Sequence, residues 1–248
     1  MFPLAPVAQQ IVEQYSVPLA VQDYVPVALS ATGLFFLAEM IKHMARDSRV
    51  ANIGLLGAWL VMLGGGIKAS WKLNLALTGN DIEWMDNALF VLMGPGFTCL
   101  AWALSAGQRL RRGQALTSRF AAAFPFIVSA IFLATAGALA AASPGSRIWF
   151  FILLGMTTIA NFTLSGLAIR QSWSRNLKWV AALFIVNIAA ILALQGLARA
   201  GDRSETMQWV EQILNTLSNA AFAFAAYKLN RHTLSMLVTR AAPARGAA

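Results

Sequence analysis

The chain has 248 residues, 58% of them hydrophobic and only 12% charged, with a mean hydropathy of +0.62, which is too apolar for a soluble domain of this length. Its formal net charge of +9 does not imply a nucleic-acid partner, because the Lys and Arg residues fall between apolar runs and not on a soluble module. The single cysteine, Cys99, excludes an intrachain disulfide and any CxxC pair, and reads as a small core residue.

Residues 1–24 carry Pro3, Pro6 and Pro18 around a short amphipathic piece, Val7 to Tyr15, with no Lys or Arg. A secretory signal opens with positive charge, so this segment reads as a retained extracytoplasmic tail lying in the interface, with Tyr15 and Tyr24 as anchors. The first span is about Val25 to Met44 and ends in a basic turn with Lys42, Arg46 and Arg49. A second span starts near Val50 and is rich in small residues: Gly54, Gly57, then Gly64-Gly65-Gly66. Glycine at helical spacing lets two backbones approach closely in lipid, so Gly54, Gly57, Gly64 and Gly65 mark a tight contact with a helix of this chain, a partner or a second copy.

Residues 68–86 mix Lys68, Lys72, Asp81, Glu83 and Asp86 with Trp71 and Trp84, and read as the longest polar connection. The third span, about Asp86 to Gly107, contains Gly94-Pro95-Gly96, where proline removes a backbone donor and is expected to kink or break the helix. The fourth covers about Phe120 to Ala142 and ends at the turn Ser143-Pro144-Gly145-Ser146. The fifth covers about Arg147 to Ile169, the sixth Trp179 to Ala198 and the seventh Gln208 to Lys228. Each is about 20 residues, enough to cross the hydrocarbon core. The expected fold is therefore an all-α polytopic bundle of seven transmembrane helices over 25–228, followed by a basic tail, 229–248, whose Ala/Pro/Arg/Gly end should be disordered.

Alternating the loops puts Lys42, Arg46, Arg49, Arg109, Arg111, Arg112, Arg119, Arg170, Arg175, Lys178, Lys228, Arg231, Arg240 and Arg245 on one side, which is 14 of 19 basic residues. The other side holds Lys68, Lys72, Arg147, Arg199 and Arg203 with eight acids, from Glu13 and Asp23 to Glu211. By the positive-inside rule the N-terminus is outside and the C-terminus cytoplasmic, in a bacterial inner membrane.

An internal similarity fits that topology. Aligned without a gap, 84–104 and 209–229 share Trp84/Trp209, Leu89/Leu214, Leu92/Leu217, Phe97/Phe222, Ala101/Ala226 and Leu104/Leu229, six identities in 21 positions. The third and seventh spans would then be copies entering from the same side, within parallel three-helix halves joined by the fourth span. Sites in such bundles often lie where the halves meet.

The alignment pairs Asp86 with Glu211 at the outer ends of two helices, where a carboxylate is favoured by the helix dipole, and Lys68 and Lys72 are near in sequence. Glu211, Asn215, Ser218 and Asn219 recur at helical spacing, so Asn215 and Asn219 extend the candidate lining. Each has a simpler reading, as an interfacial ion pair or an interhelical hydrogen bond to partners such as Asn52, Asn161, Asn187 or Gln195. Glu39 and His43, one turn apart, with His232 beyond the seventh span, are the residues from which a metal site could be built.

The outside-in order of seven helices resembles microbial rhodopsins, G-protein-coupled receptors and the 3+1+3 sugar transporters, in topology alone. Lys228 sits at the cytoplasmic end of the last span instead of its middle, so retinal is not expected. The Pro-Gln pairs of the sugar transporters are missing from the first and fifth spans, and two histidines at the membrane edge argue against haem. No cofactor is predicted. GxSxG, HExxH, P-loop and dinucleotide patterns are absent, which disfavours an enzyme. The preferred reading is a protein that binds or transports a small solute or ion at the interface of the halves, with lipid as its environment. An accessory or scaffold subunit comes next, and a receptor-like protein or membrane-embedded enzyme last.

Overall fold

The structure is a computed structural model describing residues 16–116, 119–200 and 204–241. Among these residues there is no strand; the helices are α1 (Val17–Gln22), α2 (Tyr24–Ala45), α3 (Ser48–Thr78), α4 (Glu83–Arg111), α5 (Phe124–Ala142), α6 (Ile148–Trp173), α7 (Lys178–Ala200) and α8 (Glu205–Ala241), with a 3-10 turn at Arg119–Ala122. Among the described residues six stretches are long and apolar enough to cross a membrane: Val17–Ala45, α3, α4, α5, α6 and Lys178–Leu197. The last helix, α8, runs for 37 residues but is less apolar than those six. Polar side chains from Gln208 to Asn219 and from Lys228 to His232 account for the difference.

Local chemistry explains the helix ends. Asp47 opens α3 by accepting the backbone N–H groups of Arg49 at 2.8 Å and Val50 at 3.4 Å. Gly79 closes it in the left-handed region, φ 69°, with its N–H bonded to the carbonyl of Leu75. Between these two caps the triple glycine does not interrupt the helix, and Lys68, Trp71 and Lys72 belong to α3 instead of a polar connection. Only residues 79–82 link α3 to α4. Likewise α4 runs through Pro95 without a break. The final helix passes Lys228 and continues to Ala241; the expected disordered end, 242–248, lies outside the described residues, as does the amphipathic piece at 7–15.

Two pairs of parallel helices frame the bundle. Along α2 and α8, Gly33 receives the ring of Phe222, Phe36 meets Tyr227 with centroids 5.1 Å apart, and Glu39 accepts from Asn230 at 2.7 Å. The register advances together, so the two helices run the same way. Along α4 and α6, Phe90 meets Phe150 at 5.1 Å, Gly94 faces Met156 and Thr157, and Gln108 bonds Gln171. A second parallel pair results.

Helix α3 packs on α2 and α4, and α7 on α6 and α8, while α2 also contacts α4. The shared core gathers Leu34, Leu37, Met40 and Ile41 of α2 with Leu100 and Leu104 of α4, Leu164 of α6, Phe184 of α7 and Leu229 of α8. Lipid tails are as apolar as these side chains, so close packing and interhelical hydrogen bonds, more than the hydrophobic effect, hold such helices together. The glycines serve this purpose within the chain: Gly54, Gly57 and Gly64 lie against α4, and Gly65 against Val27 of α2. Helix α5 is peripheral, burying only Pro125, Ser129 and Ala136.

Candidate functional site

Polar side chains from four helices converge at the end of the bundle where α2, α4 and α8 begin. Ser16 and Pro18 start the short helix α1, which stops at Asp23, and α2 begins directly afterwards. This break leaves the Asp23 carboxylate buried at the N-terminus of α2, where the helix dipole favours its charge. One of its oxygens accepts from the amide of Gln212 on α8, and the other pairs with Lys72 of α3 at 2.5 Å. A second ion pair, Lys68 with Asp86, joins α3 to α4.

Lys68 and Lys72 are one turn apart, so the unbroken α3 helix presents both on one face together with Trp71. The ammonium of Lys68 lies 3.9 Å from the Trp71 ring centroid, and the indole N–H of Trp71 donates to Asp81 at 2.8 Å. Around this centre, Gln22 donates to Thr216 at 3.2 Å, and Tyr24 and Ser70 share a hydrogen bond of 2.9 Å. Two cations and two carboxylates thus balance at partly buried positions. Gln212 itself is buried, and its carbonyl oxygen Oε1 accepts no hydrogen bond among the described residues.

The residues singled out from the sequence divide accordingly. Asp86, Lys68 and Lys72 lie in the cluster. Glu211 takes no part in the two ion pairs; it lies on α8 and Asp86 on α4, and α2 packs against both helices. On α8, Asn219 donates to the side chain and backbone carbonyl of Asn215, at 2.8 and 2.9 Å, so these two bond within their own helix. In this half of α8 the members that reach across are Gln212 toward Asp23, Thr216 toward α1, and Ser218 toward α7, where Asn187 donates to its hydroxyl at 2.8 Å. Gln195 reaches Thr158 at 3.5 Å.

Sequence reading thus missed Asp23 and Gln212. The signal for Asp23 was a proline-led turn ending in an acid just ahead of an apolar run. Gln212 is adjacent to Glu211, and a helix turns about 100° per residue, enough to change which neighbour a side chain meets.

At the opposite end, Gln171 of α6 is a buried hub. Its Oε1 accepts from Gln108 of α4 at 2.8 Å, and its Nε2 lies 3.4 Å from Thr233 Oγ1 on α8 and 3.3 Å from the sulfur of Met40 on α2. Arg175 also bonds Thr233. Glu39 is engaged by Asn230, His43 is exposed, and no group of three or more His, Cys, Asp or Glu side chains that could hold a metal occurs among the described residues. Glu39, His43 and His232 therefore do not gather into one.

Comparison with protein-family models, with curated proteins and with solved structures gives no match to this chain. The class rests on the helices themselves: this is an all-α integral membrane protein.

Proposed function

We propose that this membrane protein binds a small polar solute or ion at the Asp23–Lys72–Gln212 cluster, with Lys68 and Asp86 alongside, and carries it across the bilayer. One observation carries the reading: a buried amide, Gln212, keeps an unpartnered acceptor beside two opposed ion pairs. Buried polar atoms in folded proteins are nearly always bonded to protein, water or ligand, so a free acceptor among exchangeable charges is a place for an incoming donor or cation. The surroundings can welcome either sign by giving up an internal partner.

Several features support the wider arrangement. The end-to-end contact of α8 with α2 favours α8 as a seventh span despite its polar residues, of which Gln212, Ser218 and Asn230 bond to neighbouring segments of the bundle. If residues 84–104 and 209–229 are copies, exchanging the halves maps the α2–α8 pair onto the α6–α4 pair, and both pairs are parallel and packed. In that scheme Asp23 and Gln212 meet across the halves. The charge bias of the loops favours the cluster facing outside and the Gln171 end facing the cytoplasm of a bacterial cell. A scaffold role has less to rest on, since the glycine face of α3 is occupied within the chain.

The test is thermal-shift screening of the purified full-length protein against sodium, potassium, amino acids, small organic acids and sugars, followed by titration calorimetry and liposome uptake for any stabilising compound. Wild-type protein should bind one class, and Gln212→Leu and Asp23→Asn should each weaken it at least about tenfold while the protein still folds. Absence of binding across the panel, or binding unchanged in both variants, overturns the reading.

A further inference from the structure

A slot of about 440 Å³ opens between α4, α5 and α6 and shares no lining residue with the charged cluster. Trp102, Val128, Phe132, Met156 and Ile159 are among the side chains that form its walls. Two threonines in the wall have their hydroxyls committed to their own helices: Thr98 donates to the carbonyl of Gly94 and Thr163 to that of Ile159, each at 2.8 Å. With their donors satisfied, the polar remainder of the wall is the Ser105 hydroxyl at the end nearer Arg109, and the rest of the lining is predominantly apolar. It exists because α5 packs loosely, burying only three residues along its 19.

At one end the slot changes character. A second chamber of about 340 Å³ shares Trp102, Ser105 and Phe124 with it and continues to Arg109 in the last turn of α4. The Arg109 side chain is exposed and makes no ion pair or hydrogen bond with the described residues. Arg112, also exposed, follows one turn later. Trp102 marks the boundary between the apolar and the cationic part, the position that indole rings favour where hydrocarbon meets the polar interface.

The geometry points to a binding site for an anionic phospholipid, with one acyl chain in the slot and the phosphate at Arg109. An apolar trough within a bilayer has lipid tails as its natural occupant, and the unpaired guanidinium supplies what annular packing lacks, a preference for one charge of headgroup. A neutral solute would leave that arginine unused, and a water-soluble anion would leave the slot empty. The combination fits a molecule with a long apolar chain and a negative head. This site is independent of the Asp23 cluster and of whatever that cluster binds.

Native mass spectrometry of the full-length protein in detergent tests it, with dioleoyl phosphatidylglycerol and dioleoyl phosphatidylcholine added at equal concentration. Phosphatidylglycerol should be retained about fivefold more, the effect of roughly one interfacial cation. Arg109→Gln, at an exposed side chain, should bring the two lipids level without changing the melting temperature. Thr163→Trp, also at an exposed position, should fill the slot and lower retention of both lipids. Equal retention by the wild type, a preference that survives Arg109→Gln, or a filled slot that binds as before would each overturn the proposal. Oleate displacing phosphatidylglycerol at equal concentration would overturn it too, in favour of a free fatty acid.

Discussion

Gly57 of α3 and Gly96 of α4 sit back to back: a β-carbon on Gly57 would lie 2.6 Å from the Gly96 carbonyl oxygen, and one on Gly96 would lie 2.9 Å from that of Gly57. Backbone meets backbone here, and neither can yield as a flexible side chain could. Gly57→Ala or Gly96→Ala should each cost about 1–3 kcal/mol by overpacking, and Gly57→Leu more. Gly66, which has nothing within 4 Å of its virtual β-carbon, is the control. Gly66→Ala should be neutral or stabilising by up to about 1 kcal/mol, since alanine is the better helix former. Melting curves in one detergent decide the matter, and equal effects at Gly57 and Gly66 would refute the backbone contact.

Contacts such as this show how far sequence could lead. Apolar runs of bilayer length made the spans readable, and the glycine spacing in α3 announced a close helix contact without naming α4 as the partner. The segment from Lys68 to Thr78 was misread because two lysines among apolar residues look like a loop. Their charge is tolerable in a helix when Asp23 and Asp86, distant in sequence, neutralise it. That neutralisation is tertiary, so composition could not reveal it. The same holds for Asp86 and Glu211, equivalent in the alignment: only Asp86 has its ion-pair partner in the cluster, a tertiary fact that the alignment does not carry.

The two ion pairs of the cluster should differ in strength. Asp23 and Lys72 retain 10% and 20% side-chain exposure, against 29% and 25% for Asp86 and Lys68. Lys72→Met leaves a buried carboxylate with only Gln212, and should cost about 3 kcal/mol, partly recovered in the double variant Asp23→Asn with Lys72→Met. Lys68→Met, at the more exposed of the two pairs, should cost less, about 1 kcal/mol. A thermal double-variant cycle measures both. Coupling no larger for Asp23 with Lys72 than for Asp86 with Lys68 would refute the ranking.

Polar residues within the bundle should sort by whether their bonds cross between helices. Gln171→Leu removes contacts to α2, α4 and α8 at once and leaves Gln108 without that bond; a loss of about 1–3 kcal/mol is expected. Asn187→Ala breaks one bridge to Ser218 and should cost roughly 0.6 kcal/mol, the usual worth of an interhelical bond in a membrane. Asn219→Ala breaks only bonds to Asn215 in its own helix and should be close to neutral. Unfolding in graded denaturing detergent will rank the three, and a costly Asn219→Ala would contradict the local assignment.

His232, beyond Lys228 on α8, titrates below the ordinary histidine value of 6.5, first because partial burial disfavours the imidazolium and second because Arg175 is nearby. The unfolded chain therefore takes up this proton before the folded one does. The linked stability is fully present above pH 6.5 and declines as pH falls from that value toward the lower folded-state midpoint. Arg175→Gln should raise the midpoint, leaving only the burial contribution. Histidine ring resonances followed across the titration by NMR, assigned with His232→Asn, measure this directly. A His232 midpoint at or above 6.5 in the wild type would refute the depression, and one unmoved by Arg175→Gln would assign all of it to burial.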